Sequence, residues 1–186
     1  MKKFILLCGV SGSGKTVLAN NLSDQKEYPH LFFKKLDQVT TRKQREDEKN
    51  GVDYVFLNKE EYDDMKGNLI AKTNFYENYY GTIDQSLEYP QNGIYNVNII
   101  IVNREGRDAS VRDIKEKYGE DSDIITIQVV NEKNQVKREG RNKEDLEKEK
   151  KGLDEVTDLE VVNNTGDWLT NKEFIKTLMK HNFVKN

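Results

Sequence analysis

The sequence predicts an α/β fold in which a central parallel sheet surrounds a phosphate-binding loop. Residues 9–16 have the form G-x-x-x-x-G-K-S/T and follow directly on the apolar residues 4–8, which places a glycine-rich loop between a buried strand and a helix. Residues 99–102 are a continuous apolar run, as is typical of the centre of a parallel sheet. Strands and helices are expected to alternate along the rest of the chain, and this indicates a doubly wound sheet.

The composition limits the class of protein. The chain has 186 residues, which suits a single α/β domain. Its net charge of -3 argues against a nucleic-acid-binding surface. Cys8 is the single cysteine, so no disulfide can form within the chain, and no apolar stretch approaches the length of a membrane span. We expect a cytoplasmic protein that binds neither nucleic acid nor membrane.

The first half of the chain predicts several strands, two helices and a polar loop. A helix is expected over residues 15–22, whose apolar residues recur at helical spacing. Asn58 is expected to cap a second helix. Residues 40–51 are polar and charged, which predicts a solvated loop. The predicted strands are residues 3–9, 32–39, 54–57, 69–73 and 79–82.

The second half predicts the remaining layers of the fold. A helix over residues 108–118 is expected to end at Gly119, and the closing helix is expected over 171–180. Strands are expected at residues 94–102, 124–130 and 159–162, with a charged helix over 131–151. Residues 42–80 have a different texture, with short strands and many tyrosines, which predicts an insertion over the mouth of the site.

The phosphate-binding loop assigns a task to each kind of residue. Its glycines allow a tight turn in which backbone N–H groups point at an anion, and the following helix adds its positive end. Lys15 can reach the β- and γ-phosphates, and the hydroxyl of Thr16 can bind Mg²⁺. The loop therefore predicts a nucleoside triphosphate as one ligand.

A second group of residues predicts a site for a monophosphate. Arg42 and Arg45 lie three residues apart in the polar loop, and Tyr54 and Tyr80 follow. Arginine forks match phosphate oxygens, and tyrosine hydroxyls can donate to the same group. A monophosphate carries about two negative charges near pH 7, so it needs such a cradle.

These motifs, in this order, resemble those of the guanylate kinase family. The matching stretches are the loop at residues 9–16, T-T-R-x-x-R at 40–45, N-G-x-D-Y-x-F at 50–56 and Y-Y-G-T at 79–82. Residues 139–141 look like the start of the family's lid, and 161–164 look like its last strand, which ends near the adenine of ATP. The resemblance covers essentially the whole chain.

The resemblance implies a P-loop NTPase fold of three parts. The core would comprise residues 1–36, 91–135 and 152–186, the insert that binds the nucleoside monophosphate (NMP) would comprise 37–90, and a helical lid would comprise 136–151. The implied activity is ATP- and Mg²⁺-dependent phosphorylation of a nucleoside monophosphate, GMP or dGMP. No general base is required, because a phosphate monoester is itself a good nucleophile.

The resemblance also implies roles for individual residues. The catalytic residues would be Lys15, Arg42 and Arg141. The ATP site would be formed by Gly9, Ser11, Gly12, Ser13, Gly14, Lys15, Thr16 and Asn164, with Thr16 as the metal ligand. The NMP site would be formed by Gln38, Arg42, Arg45, Tyr54, Tyr80, Thr82 and Asn103, with Thr82 facing the base.

The chain departs from the family where the base should bind. Guanine presents N1–H and N2–H₂ donors, which favour carboxylate acceptors. The family's glutamate before Y-Y-G is here Ala71, and the two acids of its D-x-D-x-x-G motif are Ile101 and Asn103. The family's serine before T-T-R is Gln38. The lid's second arginine is also missing, and its place falls among Lys148, Glu149, Lys150 and Lys151.

Three alternatives to a GMP kinase stay open at the level of sequence. The amide-lined pocket could prefer another base, such as a pyrimidine. The chain could be a guanylate kinase-like binding module without turnover, although its intact phosphate loop argues against this. It could also phosphorylate a sugar phosphate on the same fold, against which the retained N-G-x-D-Y-x-F motif speaks.

Overall fold

The computed structural model describes residues 2–10, 12–46, 48–75, 77–85, 95–130, 147, 151–162 and 171–184. The strands are β1 (Lys3–Cys8), β2 (Leu31–Lys35), β3 (Gln38–Thr40), β4 (Val55–Phe56), β5 (Leu69–Phe75), β6 (Asn78–Ile83), β7 (Tyr95–Ile101), β8 (Asp123–Val130) and β9 (Leu159–Val162). The α-helices are α1 (Lys15–Ser23), α2 (Lys59–Met65), α3 (Arg104–Tyr118) and α4 (Asn171–Lys180), and residues 151–154 are also helical.

A five-stranded parallel sheet forms the core, in the order β2-β7-β1-β8-β9. The first strand lies at its centre, where Ile5 pairs with Ile99 on β7 and with Ile125 on β8. Apolar side chains cover both faces: Leu18 and Phe174 are buried on one, and Ile114 on the other. The predicted α/β fold with a central parallel sheet is confirmed.

A second sheet of four strands, in the order β4-β3-β6-β5, lies beside the core. It is mixed, because β3 is parallel to β4 while β6 is antiparallel to both β3 and β5. A small apolar cluster of its own, centred on Val39, Tyr62 and Leu69, supports it. This sheet corresponds to the predicted insertion, and its strands run from residue 38 to residue 83.

The single strand predicted over residues 32–39 is wrong, because the chain changes sheets within it. Leu36 still donates its N–H to the Ile99 carbonyl oxygen at 2.9 Å, in line with β7 of the core. From Gln38 onward the chain pairs with Thr82 on β6 instead. The apolar pattern runs on across this crossing, so it conceals the change of partner.

The third helix begins four residues before the predicted start at residue 108. Asn103 is its N-cap, and the Asn103 Oδ1 atom accepts the N–H of Gly106 at 2.7 Å. A polar side chain that satisfies the first turn allows the helix to start at Arg104, despite the glycine in that turn. The end at Gly119 agrees with the prediction.

Other predicted elements agree within one or two residues, and one lies mostly beyond the described part of the chain. The Asn58 cap is confirmed, since Asn58 Oδ1 accepts the Glu61 N–H at 2.9 Å and Glu61 Oε2 accepts the Asn58 N–H at 2.7 Å. Of the charged helix predicted over 131–151, only residues 147 and 151 are described, and both are helical.

Helix α3 holds the second sheet against the core. Strand β5 has a bulge at Ala71, whose φ of 56° is unusual for a residue with a side chain. The N–H of Ala71 donates to Asp113 Oδ2 at 2.8 Å, and Lys117 and Tyr118 bind the carboxylate of Asp84 at the end of β6. These bonds fix the position from which the second sheet faces the phosphate loop.

Among the described residues, no helix is both long enough and apolar enough to cross a membrane.

We predict that Gly9→Ala destabilises the protein and disrupts the loop. Gly9 has a φ of 141°, and a Cβ atom there would lie 2.4 Å from the Val129 carbonyl oxygen. The free energy of unfolding should fall by about 2 kcal/mol or more. Chemical denaturation measures it, with Gly67→Ala as the control because nothing lies within 4 Å of a Cβ at that position. Equal effects of the two changes would contradict this.

Candidate functional site

A cleft of about 440 Å³ lies between the carboxyl edge of the core sheet and the second sheet. Its walls are the phosphate-binding loop, the ends of β2 and β7, the polar loop after β3, and the cleft-facing residues of β5 and β6. The predicted site residues that line it are Gly9, Gly12, Gly14, Lys15, Thr16, Gln38, Arg42, Arg45, Tyr54, Tyr80 and Asn103.

Two of the described residues predicted for the site, Ser13 and Thr82, are not part of this lining. Ser13 is buried beneath the loop at 1% exposure, and Thr82 is fully buried in the second sheet. Ser11, Arg141 and Asn164 lie outside the described residues, as does the predicted lid apart from residues 147 and 151. The roles assigned to all these residues stay predictions.

The phosphate-binding loop has the backbone that its glycines were expected to provide. Gly9, Gly12 and Gly14 all have positive φ values, and Gly14 is the N-cap of α1. Lys15 folds back over the loop, where its Nζ donates to the carbonyl oxygens of Gly9 at 2.7 Å and Val10 at 3.0 Å. An ammonium group therefore lies where a phosphate anion would be wrapped by the loop and by the first turn of the helix.

The polar loop after β3 holds two arginines around one carboxylate. Arg42 makes a two-pronged ion pair with Glu48, with Nη2 to Oε1 at 2.8 Å and Nη1 to Oε2 at 3.0 Å. Arg45 reaches the same carboxylate twice, from its backbone N–H to Oε2 at 2.9 Å and from Nη1 to Oε1 at 3.3 Å. Only 10% of the Glu48 side chain and 16% of the Arg42 side chain are exposed.

Aromatic rings complete this cluster. The guanidinium carbon of Arg42 lies 5.6 Å from the ring centroids of both Tyr54 and Phe56, within the range of cation–π attraction. Tyr54 and Tyr80 meet edge to face at 6.3 Å between ring centroids. The four residues predicted to hold a monophosphate, namely Arg42, Arg45, Tyr54 and Tyr80, are thus brought to one wall of the cleft.

The burial and the charges of the cluster shift its pKa values. Burial opposes ionisation of Glu48, but hydrogen bonds and charge from Arg42 and Arg45 outweigh it and lower the pKa of Glu48. Burial likewise opposes the charge on Arg42, yet Glu48 raises the pKa of Arg42 above its ordinary value. Burial also raises the pKa of Tyr54, so its hydroxyl keeps its proton and can donate to an anion at neutral pH.

Glu48 is the residue that the sequence reasoning missed. It follows Arg45 by three residues and Arg42 by six, so the stretch reads R-x-x-R-x-x-E. Equal spacing of opposite charges could have indicated an ion-paired cluster. The loop was predicted to be solvated because charged residues mostly are, and this is wrong for Arg42 and Glu48, whose pairing withdraws most of both side chains from solvent.

The wall of the cleft at the ends of β2 and β7 presents two amide side chains, those of Gln38 and Asn103. Gln38 Nε2 donates to the Ile101 carbonyl oxygen at 2.8 Å, which leaves its Oε1 as an acceptor without a partner among the described residues. Asn103 lines the cleft too, and its Oδ1 is already engaged in capping α3. Ala71 lines the cleft with a methyl group.

One carboxylate at this wall was not singled out from the sequence. Asp37 lines the cleft next to Gln38, and its carboxylate has no hydrogen bond or ion pair with any described residue. The last paired residues of β2 and β7 are Lys35 and Ile99, and Asp37 lies two residues beyond Lys35 just as Ile101 lies two residues beyond Ile99. Asp37 is therefore level with Ile101, one of the positions where an acid was expected and is missing.

Thr82 was expected to face the base, but it is buried and does not reach the surface of the cleft. It pairs with Gln38 on one side and Ile70 on the other. Its Oγ1 is buried and has no hydrogen-bond partner in the described part of the structure. A base could meet it only if the neighbouring side chains moved.

Within the described ranges, no three or more His, Cys, Asp or Glu side chains are grouped so that they could hold a metal ion. Thr16 lines the cleft in the first turn of α1, which fits a hard ion held by one hydroxyl, phosphate oxygens and water.

Comparisons with known proteins agree with this geometry. The family model described as guanylate kinase matches residues 1–165. The guanylate kinase of Mycoplasma genitalium is 32% identical over 185 residues, covering 95% of this chain and 72% of that protein. The solved guanylate kinase structure from Anaplasma phagocytophilum is similar in fold, with a TM-score of 0.59 at 20% identity, covering 100% of this chain and 88% of that one.

Some relatives match over a smaller part of their length. The guanylate kinase of Mesomycoplasma hyopneumoniae (strain 7448) is 33% identical over 129 residues, which are 68% of this chain and 63% of the relative. The guanylate kinase of Campylobacter jejuni (strain RM1221) is 40% identical over 106 residues, which are 54% of this chain and 48% of the relative. The matched region thus spans less than two thirds of these relatives.

We predict that the stability contributed by Glu48 is lost in acid. The pKa of Glu48 is lowered in the folded state from an ordinary value of 4.5. Between the lowered and the ordinary pKa, the unfolded chain therefore binds more protons than the folded protein does. The contribution is complete above the ordinary pKa and disappears as the pH falls through the lowered one. Denaturant unfolding of wild type and Glu48→Gln between about pH 7 and about pH 3 measures this.

The control for this experiment is Glu46→Gln, because Glu46 is exposed in the same loop. The difference in unfolding free energy between wild type and Glu48→Gln should narrow in acid, whereas that for Glu46→Gln should stay near zero. A difference for Glu48→Gln that is constant across the range would show that its carboxylate charge is not what stabilises the loop.

Proposed function

The chain belongs to the guanylate kinase family, and we propose that it transfers the γ-phosphoryl group of ATP to GMP or dGMP, giving the nucleoside diphosphate and ADP. One observation carries the proposal: the phosphate-binding loop and the cluster of Arg42, Arg45, Tyr54 and Tyr80 line one cleft. A donor phosphate chain and an acceptor phosphate can therefore meet within it. The single cysteine and the use of ATP also suit a reducing cytoplasm.

The loop and α1 are proposed to bind the donor. Backbone N–H groups and the positive end of α1 would surround the β-phosphate. Lys15 would exchange its bonds to the Gly9 and Val10 carbonyl oxygens for phosphate oxygens. Thr16 would hold Mg²⁺ through its hydroxyl, and the ion would neutralise charge on the phosphate chain.

The arginine cluster is proposed to bind the acceptor. Two guanidinium groups and one carboxylate leave a net positive charge for a phosphate that carries about two negative charges. The hydroxyls of Tyr54 and Tyr80 would donate to the remaining oxygens. These contacts would aim one phosphate oxygen at the γ-phosphorus of ATP.

Transfer would then rest on alignment and charge. The acceptor oxygen forms a bond to the γ-phosphorus as the bond to the bridging oxygen of ADP breaks, and the charge that spreads over the equatorial oxygens would be met by Lys15. Arg141 would add a second positive charge from the lid over residues 136–151, as the family resemblance implies. Movement of the insert, residues 37–90, toward the core would exclude water.

We propose that the residues that accept hydrogen bonds from the base differ from those of the family pattern. Because Ala71, Ile101 and Asn103 replace carboxylates, the acceptors left on the described wall are Gln38 Oε1 and the Asp37 carboxylate. They would receive the N1–H and N2–H₂ donors of guanine. The wall thus supports guanine as the base, read from the end of β2 instead of from β5 and β7.

We expect ADP release to be faster with GMP or dGMP than with any other nucleoside monophosphate. A coupled assay of ADP release across all ribo- and deoxynucleoside monophosphates measures this. Lys15→Ala should lower kcat by about a hundredfold or more, because it removes charge from the transition state, while Lys26→Ala, at an exposed position after α1, should have no effect. Absence of turnover with every nucleotide would overturn the proposed function.

The base-reading proposal predicts a selective effect of Asp37→Asn. The change should lower kcat/KM for GMP by about tenfold, and for IMP, which lacks the 2-amino group, by less than about threefold. Steady-state kinetics with both nucleotides measure this, with Asp64→Asn on the exposed side of α2 as the control. Equal losses with GMP and IMP would place the recognition of the amino group elsewhere.

A further inference from the structure

We propose that Glu48 is a positioning residue for acceptor binding: it holds the terminal fork of Arg42 so that the other edge of the guanidinium is presented to the phosphate. The inference rests on the proposed function and deepens it. Glu48 would remain bound to both arginines while the substrate is in place.

The hydrogen bonds of Arg42 show which donors are taken. A guanidinium has five N–H donors. Glu48 takes one from Nη1 and one from Nη2, and the Lys43 carbonyl oxygen takes the other from Nη1 at 2.8 Å. The two that have no partner among the described residues are Nε–H and the second Nη2–H. These two lie on one edge and form the fork that matches two phosphate oxygens.

The hydrogen bonds of Glu48 show that its carboxylate is built into the loop. Its Oε1 accepts from Arg42 and Arg45 side chains, and its Oε2 accepts from the Arg42 side chain and the Arg45 backbone N–H. The Glu48 backbone is bound as well, since its N–H donates to the Arg45 carbonyl oxygen at 3.2 Å and its carbonyl oxygen accepts from Gln44 Nε2 at 2.6 Å. The two backbone hydrogen bonds of Glu48 would not be needed if its carboxylate only occupied the position of the absent phosphate.

The two arginines are held to different degrees. The Arg42 side chain is 16% exposed and is bound at three points, while the Arg45 side chain is 42% exposed and has a single ion-pair contact at 3.3 Å. Arg42 is therefore oriented before the substrate arrives, which lowers the entropic cost of binding. Arg45 keeps the freedom to turn onto the phosphate.

The charges of the cluster set the expected direction of change. Without Glu48, two guanidinium groups would lie close together with no counter-charge, and they would separate. The cluster would gain positive charge but lose the orientation of the Arg42 fork. If orientation dominates, as we propose, removal of Glu48 weakens binding of the monophosphate; if Glu48 instead competes with the phosphate, its removal strengthens binding.

Calorimetric titration with GMP and with ATP distinguishes the two cases. Glu48→Gln should weaken GMP binding by about tenfold and leave ATP binding within about twofold of wild type, because the phosphate loop is separate from the cluster. The matched control is Glu46→Gln, two positions away and exposed, which should behave as wild type. Tighter or unchanged GMP binding by Glu48→Gln, or equal weakening of both ligands, overturns the proposal.

A double-mutant cycle tests whether Glu48 acts through Arg42. Arg42→Lys removes the fork, so Glu48→Gln added to it should weaken GMP binding by less than about a further twofold. Full additivity of the two losses would show that Glu48 acts independently of Arg42 and would contradict the positioning role.

A measurement on the wild-type protein covers the case in which Glu48→Gln fails to fold. In NMR titration with GMP, the Arg42 Nε–H resonance should shift while the Glu48 carboxylate carbon stays at its ion-paired position. Movement of the carboxylate signal toward that of a solvated glutamate would show displacement and overturn the proposal. If no nucleotide is bound or phosphorylated, the proposed function fails, and the same titration with inorganic phosphate still tests the role of Glu48.

Discussion

The parallel pairing of β1 with β7 and β8 is the constraint on which the site depends. Because the three strands run in the same direction, their carboxyl ends reach the same edge of the core sheet. The phosphate loop leaves β1 at that edge, and Asn103 begins α3 beside it. The close approach of Gly9 to the Val129 carbonyl oxygen on β8 shows how tightly the loop is tied to this pairing.

The second sheet depends on the same edge. The chain leaves the core between Leu36 and Gln38, directly beside the end of β7, so the residues that begin β3 also begin the wall of the cleft. Helix α3, which starts from β7, then holds the far side of that sheet through Asp113 and the N–H of Ala71. The arginine cluster is thereby placed across the cleft from the phosphate loop by a short, well-bonded route through the structure.

The sequence was sufficient for features that local chemistry determines. The loop around Lys15 and the cradle of Arg42 and Arg45 were predicted from residue types and spacing, and the parallel sheet from the apolar strands. The change of sheet at Leu36 could not be predicted, because the apolar pattern is the same whether a strand keeps or exchanges its partner. Glu48 and Asp37 were missed because each carries an ordinary surface charge, and only the fold decides whether such a charge is paired or faces a cleft.

The central claim is that one cleft binds a donor phosphate chain and an acceptor monophosphate in line. Calorimetry with adenosine and guanosine joined through five phosphates tests it most directly. We expect one molecule to bind per chain, at least about a hundredfold tighter than ATP or GMP alone, because linkage makes the second contact intramolecular. We also expect the bound compound to prevent the binding of both ATP and GMP. Affinity no better than that of ATP, or continued binding of GMP in its presence, would contradict the account.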